Sequence, residues 1–430
     1  MVKEKKTIKK RISERKYKIP NAFLYGFLTK CVIRPFLQPK LHPTYNIVDN
    51  INDCKGPCFL IYNHQSRQDY IYIVNSCYPR RVNFVTGYNE FYRKKFKLIF
   101  DILNQIPKKN FVPDVGCICA MRSIIKQNGV VAISPEGMSS ITGHNQPVAI
   151  GTGKLFKHYK IPVYMCKLQG AFLSNTKVCL DERYGKVEVT LTKLFDGDDF
   201  ANVTPEEIEN KCNEALWQDE FEWNKLKRYK YKSKGRIAHR LHDLCYRCPR
   251  CGKEFQMLGD GNAIKCLACG NGAMINDFYD FIPFDDDCIL PDSPSKWVDE
   301  ERKNVYHEIQ DSNFEFVEHV RLGKLPEYEY ISANDTSVLC GEGKITINHK
   351  GFFFKGTKDG KPFEFNLQWR ELPTLGMPTD VTYFATYYDG DYYDFFPERP
   401  CVGKILLMVE EMHRMHSNAW KNFPWADTYD

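Results

Sequence analysis

Between residues 43 and 194, short apolar runs alternate with longer stretches of mixed character, a pattern that predicts an α/β domain with a mixed sheet flanked by helices. Strands are expected at 57–62, 82–86, 130–133, 163–168 and 187–191, where runs of apolar and β-branched residues suit a sheet buried on both faces. Helices are expected at 92–103 and 117–127, the second stopped by Asn128-Gly129. A third starts at Thr204-Pro205-Glu206-Glu207, which offers a cap and a first-turn proline, and is expected to run to about residue 228.

Beyond it, a basic stretch at 229–240 leads to a cysteine-rich segment, and the acidic, proline-bearing 283–295 reads as a boundary. From about Tyr328 the chain is rich in strand formers broken by glycine turns, spaced as in a small barrel. Ile405, Leu406, Val409 and Met412 then predict a closing amphipathic helix. The expected organisation is a basic tail and interfacial helix at 1–42, the α/β domain at 43–228, a linker and cysteine module at 229–282, a linker at 283–327 and a β-rich module at 328–430. By its layout of strands closed by one helix, that last module resembles a pleckstrin-homology-like domain.

With 430 residues, 43% of them hydrophobic, the chain is long enough for two or three cores. A net charge of +6 is too modest to argue for nucleic acid, but the first twenty residues hold nine Lys or Arg against two Glu, a run drawn to anionic surfaces. Residues 21–38 follow directly, apolar and aromatic apart from Lys30 and Arg34, as an interfacial helix is composed. No run reaches the roughly 18 apolar residues of a spanning helix, and no secretory signal is evident. The expectation is a cytoplasmic protein held peripherally on the inner face of a membrane.

The 17 cysteines, an odd number with many placed singly in apolar runs, suit reduced thiols and not a disulfide framework. Cys248, Cys251, Cys266 and Cys269 form two Cys-x-x-Cys-Gly turns around a hairpin signal at 259–262. Four thiolates so spaced predict a closed tetrahedral Zn2+ site of structural type, and the module resembles a zinc ribbon. Cys245 is expected to be a buried thiol outside the site.

Candidate chemistry lies where the strand at 57–62 ends, in Asn63-His64-Gln65-Ser66-Arg67-Gln68-Asp69. Strand ends in α/β folds open onto ligand crevices. A carboxylate five residues beyond a histidine can bond one imidazole nitrogen, fix the tautomer and leave the other free to accept a proton from a hydroxyl. About seventy residues later another expected strand ends in Pro135-Glu136-Gly137.

In this combination, with Ile106-Pro107 and the later Ile161-Pro162-Val163, residues 43–194 resemble the glycerolipid acyltransferase family, whose type member is 1-acyl-sn-glycerol-3-phosphate acyltransferase. The resemblance implies that His64 is the general base, that Asp69 orients it, and that Glu136 and Gly137, with Asn63, help seat an acyl acceptor. It further implies a thioester donor, acyl-CoA or acyl-carrier-protein, and a lysolipid acceptor in phospholipid biosynthesis. A thioester is already activated, so none of the cysteines is needed as a nucleophile. Two arginines usual in the family are missing: Lys108-Lys109-Asn110 follow the Ile-Pro element, and Met138-Ser139-Ser140 follow the Glu-Gly. Lys108 and Lys109 are the substitutes to expect for phosphate contact, as point charges in place of a bidentate fork. The rival reading is a zinc-ribbon binding protein with a degenerate catalytic domain, the basic stretch 225–240 touching RNA or lipid head groups.

Overall fold

A computed structural model of the chain describes residues 6–332, 335–417, 419, 420 and 423. The first five residues of the basic tail and most of the last thirteen of the C-terminal module lie outside them.

Seven strands form the first sheet: β1 (Pro43–Ile47), β2 (Cys58–Tyr62), β3 (Val82–Gly87), β4 (Ile106–Lys108), β5 (Val130–Ile133), β6 (Val163–Gln169) and β7 (Val187–Phe195), in the order β1-β7-β6-β2-β5-β3-β4. Only the β6–β7 pairing is antiparallel, so the sheet is mixed. Successive residues of β2 point to opposite faces. Cys58, Leu60 and Tyr62 pack with the helix Asp69–Cys77 and with Tyr25 and Ile33, whereas Phe59 and Ile61 pack with the helices Val115–Ile125, Thr152–Tyr159 and Pro205–Leu216. Burial on both faces accounts for the unbroken apolar runs.

The expected helix from Thr204 is two helices. Thr204 and Glu207 form the anticipated capping box, but the first helix ends at Leu216 and Asp219 caps a second, Glu220–Lys227, by accepting the Phe221 and Glu222 amides. The charge-rich composition ran continuously through a point where a capping aspartate starts a new helix.

The N-terminal segment is ordered more tightly than a solvated tail. Thr7 caps the short helix Ile8–Ser13, buried Ile8 packs with Tyr88, Tyr92 and Ile331, and Lys9 pairs with Asp391 at 2.8 Å. The expected interfacial helix is an α-helical turn, Ala22–Phe27, that widens into π-helical Leu28–Leu37 around Pro35, whose ring cannot donate to the ladder. Phe23, Phe27 and Phe36 are exposed. Among the described residues no helix is long and apolar enough to cross a membrane.

Strands β8 (Met257–Asp260), β9 (Ala263–Cys266), β10 (Gly272–Ile275) and β11 (Phe281–Pro283) make the four-stranded cysteine module. Its hairpin turns at Gly261, which holds a positive φ of 54°. In the basic stretch before it, Lys225, Lys227, Arg228, Lys230, Arg236 and Arg240 each pair with a carboxylate, whereas Lys232 and Lys234 are exposed.

The expected linker at 283–327 is not one. It holds the helix Pro294–Glu308, capped by Ser293, and β12 (Glu315–Lys324). With β13 (Val338–Asn348), β14 (Gly351–Lys358), β15 (Lys361–Leu367), β16 (Phe384–Tyr388) and β17 (Asp391–Pro397), β12 forms an antiparallel sheet ordered β15-β14-β13-β12-β17-β16. A strand mostly polar on its outer face was hidden by that alternation. The aromatic stretch 383–396 is the β16–β17 hairpin, with Phe384 and Phe395 stacked at 5.1 Å in the core.

The closing helix, Val402–Ser417, is present but buried on all sides from Val402 to His413. Its polar positions therefore meet partners and not water. Arg302 of the helix Pro294–Glu308 reaches Glu410 at 2.6 Å and Glu411 at 3.1 Å, and Lys404 pairs with Glu254 of the cysteine module and with Glu308. Removing one partner of a buried ion group strands the other charges in a low-dielectric interior, at a cost of about 3–5 kcal/mol. Arg302→Leu is expected to lose stability of that order, read as a lowered denaturant midpoint, while a surface change such as Lys303→Leu leaves the midpoint in place.

Candidate active site and cysteine cluster

Two parallel neighbours, β2 and β5, end side by side, Ile61 being in register with Ile133. Their carboxyl ends therefore bring His64 and Pro135-Glu136-Gly137 together across 72 positions of sequence. Asp69 opens the helix Asp69–Cys77, where a carboxylate complements the helix dipole. It is 3% exposed, and both oxygens are fully used. Oδ1 accepts the Ser66 amide at 2.9 Å and the Ser66 hydroxyl at 2.8 Å; Oδ2 accepts the Gln65 amide at 2.9 Å and lies 2.6 Å from His64 Nδ1. That contact assigns the Nδ1 proton to the bond with Asp69 and leaves Nε2 with its lone pair. Nε2 has no hydrogen-bond partner among the described residues, and the imidazole is 32% exposed.

Glu136 acts on the backbone of this turn. Its Oε1 accepts the His64 amide at 3.2 Å and the Asn145 side-chain amide at 2.8 Å, and Oε2 accepts the Gln146 amide at 3.0 Å. Burial pushes the carboxyl up to about 8, against these three N–H donors, which favour the anion. The His64 carbonyl in turn accepts the Ser140 amide at 2.6 Å. Gly137 sits at φ +80°, and a Cβ there would come 2.8 Å from the Phe111 ring, so glycine serves both the turn and the close approach.

Asn63 is fully buried and bonded to the Leu168 backbone through both side-chain atoms, each at 2.7 Å, tying β2 to β6 and facing away from the cavity described next. Lys108 does line that cavity, but its ammonium is turned onto the carbonyls of Lys109 and Val112. Lys109 points away, donating to the Gly390 carbonyl at 2.8 Å beside the Tyr88 and Tyr387 rings. A lysine placed next to a strand end has a stem long enough to leave the site altogether.

A cavity of about 2050 Å³ opens before His64. Apolar side chains of the 28–37 segment and of the first domain, among them Leu28, Val32, Phe84, Phe100 and Met121, line one part of it. The C-terminal module closes over another part with residues 370–380 and 383–389. The sequence reading missed this roof and also Lys177, which lies on the cavity wall, because no local motif marks a residue brought in from a distant element.

At the cysteine cluster, the four Sγ atoms all lie within 4.8 Å of one another. Cys248–Cys269 and Cys251–Cys266 are 3.6 and 3.8 Å apart, and sulfurs bound tetrahedrally at about 2.3 Å from a zinc ion are separated by about 3.8 Å. Gly252 and Gly270, at φ +70° and +80°, turn their amides onto the carbonyls of Cys248 and Cys266 and so close the two tight turns. The set fits a metal ion such as zinc. Cys245 is buried outside it.

No protein-family model and no curated protein matches the chain. Among solved structures, the crystal structure of the 1-acyl-sn-glycerophosphate (LPA) acyltransferase PlsC from Thermotoga maritima is similar, with a TM-score of 0.38 and 18% identity over 51% of this chain and 87% of that one.

Two outcomes are expected. Glu136→Gln sets its NH2 group against at least one of the N–H donors bonded to Glu136, so it should cost about 1–3 kcal/mol of stability in denaturant unfolding. Elemental analysis of freshly purified protein should find one zinc per chain, and chelation should lower the melting temperature, since the cluster shares a core with the C-terminal sheet.

Proposed function

We propose that this chain is an O-acyltransferase that moves an acyl group from acyl-CoA or acyl-carrier-protein to a hydroxyl of a lysolipid, lysophosphatidate or a relative of it, in phospholipid biosynthesis. The observation that carries the reading is the state of His64: Nδ1 tied to a buried carboxylate at 2.6 Å, Nε2 unengaged, in a large cavity with apolar walls.

The residues support a direct transfer. An acceptor hydroxyl that donates to Nε2 loses its proton as its oxygen attacks the thioester carbonyl. Asp69, already desolvated and anchored by three other donors, stabilises the imidazolium without having to reorganise. Collapse of the tetrahedral species expels the thiolate, which takes the proton back from Nε2. The apolar walls suit an acyl chain, and exposed Phe23, Phe27 and Phe36 on the N-terminal segment suit docking on the inner face of a membrane, where the acceptor resides. The zinc of the ribbon would be structural, because four cysteines leave no position open to a substrate.

His64→Ala is expected to lower kcat/KM for thioester consumption with a panel of lysolipids by about 10² to 10⁴, with the far-UV circular dichroism unchanged. Asp69→Asn should act in the same direction, by releasing the tautomer. Full turnover in His64→Ala would end the assignment.

A further inference from the structure

The arginines that grip phosphate in the resembling family are absent, and Lys108 and Lys109 are spent on backbone carbonyls. Besides Lys108, five cations line the cavity that holds His64: Arg67, Arg93, Lys95, Lys177 and Arg370. Of these, Arg67 and Lys177 lie in the segments that leave β2 and β6. Arg67 lies inside the turn between His64 and Asp69. Lys177 comes from the segment that follows β6, a strand parallel to β2, and so leaves the sheet at the same edge.

Among the described residues neither side chain makes an ion pair. Arg67 is exposed, and its guanidinium donates to the Leu180 carbonyl at 3.0 Å. Lys177 is 5% exposed, and its ammonium donates to the carbonyls of Met377 and Pro378, both at the long distance of 3.3 Å. The nearby carboxylates are engaged elsewhere: Asp380 accepts the Thr382 hydroxyl and Glu90 pairs with Arg93. Burial holds the Lys177 amine down at about 8, and the positive charge of Arg67 adds to the depression. Asn175 accepts the Arg67 backbone amide on its Oδ1 at 3.4 Å and keeps a buried Nδ2 without a partner among the described residues. Two positive charges are thus gathered with backbone carbonyls but with no anion paired to either among the described residues, and an anion in the cavity would complete the set.

We propose that Arg67 and Lys177 form a subsite for a phosphate ester beside His64, at the seam between the catalytic domain and the C-terminal module. Arg67 supplies a fork at the exposed side and Lys177 a point charge at the buried side. The phosphate belongs either to the acceptor or to a phosphate-bearing thioester donor. The assignment of those sources rests on the acyl-transfer reading; phosphate binding does not.

Calorimetric titration of the full chain with inorganic phosphate, glycerol 3-phosphate and coenzyme A tests it, in the wild type, His64→Ala, Arg67→Gln and Lys177→Met. The wild type and His64→Ala should bind alike. Arg67→Gln, a change at an exposed position that leaves the core intact, should weaken binding by about tenfold or more, as loss of a charge-assisted bond requires. Lys177→Met should do the same. Weakening confined to glycerol 3-phosphate, with a raised KM for lysophosphatidate and an unchanged KM for monoacylglycerol, assigns the site to the acceptor. Weakening confined to coenzyme A assigns it to the donor. Wild-type affinity in Arg67→Gln for all three ligands, or no binding by the wild type, overturns the subsite even if His64→Ala abolishes turnover. Binding that depends on Arg67 and Lys177 without any turnover would instead leave the subsite standing and remove the acyl-transfer reading.

Discussion

A carboxylate taken out of water has to be given hydrogen-bond donors, and Asp69 receives four: two amides, one hydroxyl and the imidazole Nδ1–H. The same four bonds define the turn between β2 and the helix Asp69–Cys77, so the local fold and the orientation of His64 are one requirement met once. Glu136 repeats the device from the neighbouring strand, accepting the His64 amide from a position that is itself buried. Two buried carboxylates thus bracket a single histidine, one holding its ring and the other its backbone. The only ring atom left to chemistry is the one that faces the cavity.

Rigidity at the site continues outward. Residues that follow the Pro-Glu-Gly turn, such as Met138 and Ile141, share one core with the cysteine module, the helix Pro294–Glu308, the C-terminal sheet and the closing helix. His144, just beyond that turn, contacts Asp299 of the same helix at 2.9 Å; burial opposes a charged imidazole, but Asp299 outweighs it and holds the His144 pKa up. The cysteine cluster is thus joined by packing to the segment that carries the glycine turn beside His64.

The C-terminal module has a second consequence. By closing over the cavity it turns an open strand-end crevice into a chamber with an apolar part and a charged seam.

Much of the α/β domain was legible in the sequence, because strands buried on both faces write themselves as unbroken apolar runs and the cap at Thr204 needs only four adjacent residues. The His64–Asp69 spacing and the two Cys-x-x-Cys-Gly turns are legible for the same reason: their geometry is local. What the sequence did not disclose depends on partners far along the chain. A lysine reads the same whether it is solvated, turned onto a carbonyl like Lys109 or buried in a cavity wall like Lys177. The alternation of β12 looks like a polar linker until β13 and β17 flank it, and the charged positions of the closing helix look like a wet face until Arg302 and Glu254 meet them. Local sequence set the chemistry of the site, and tertiary packing alone decided what covers it and which charges face it, because burial and charge pairing are properties of contacts and not of residues.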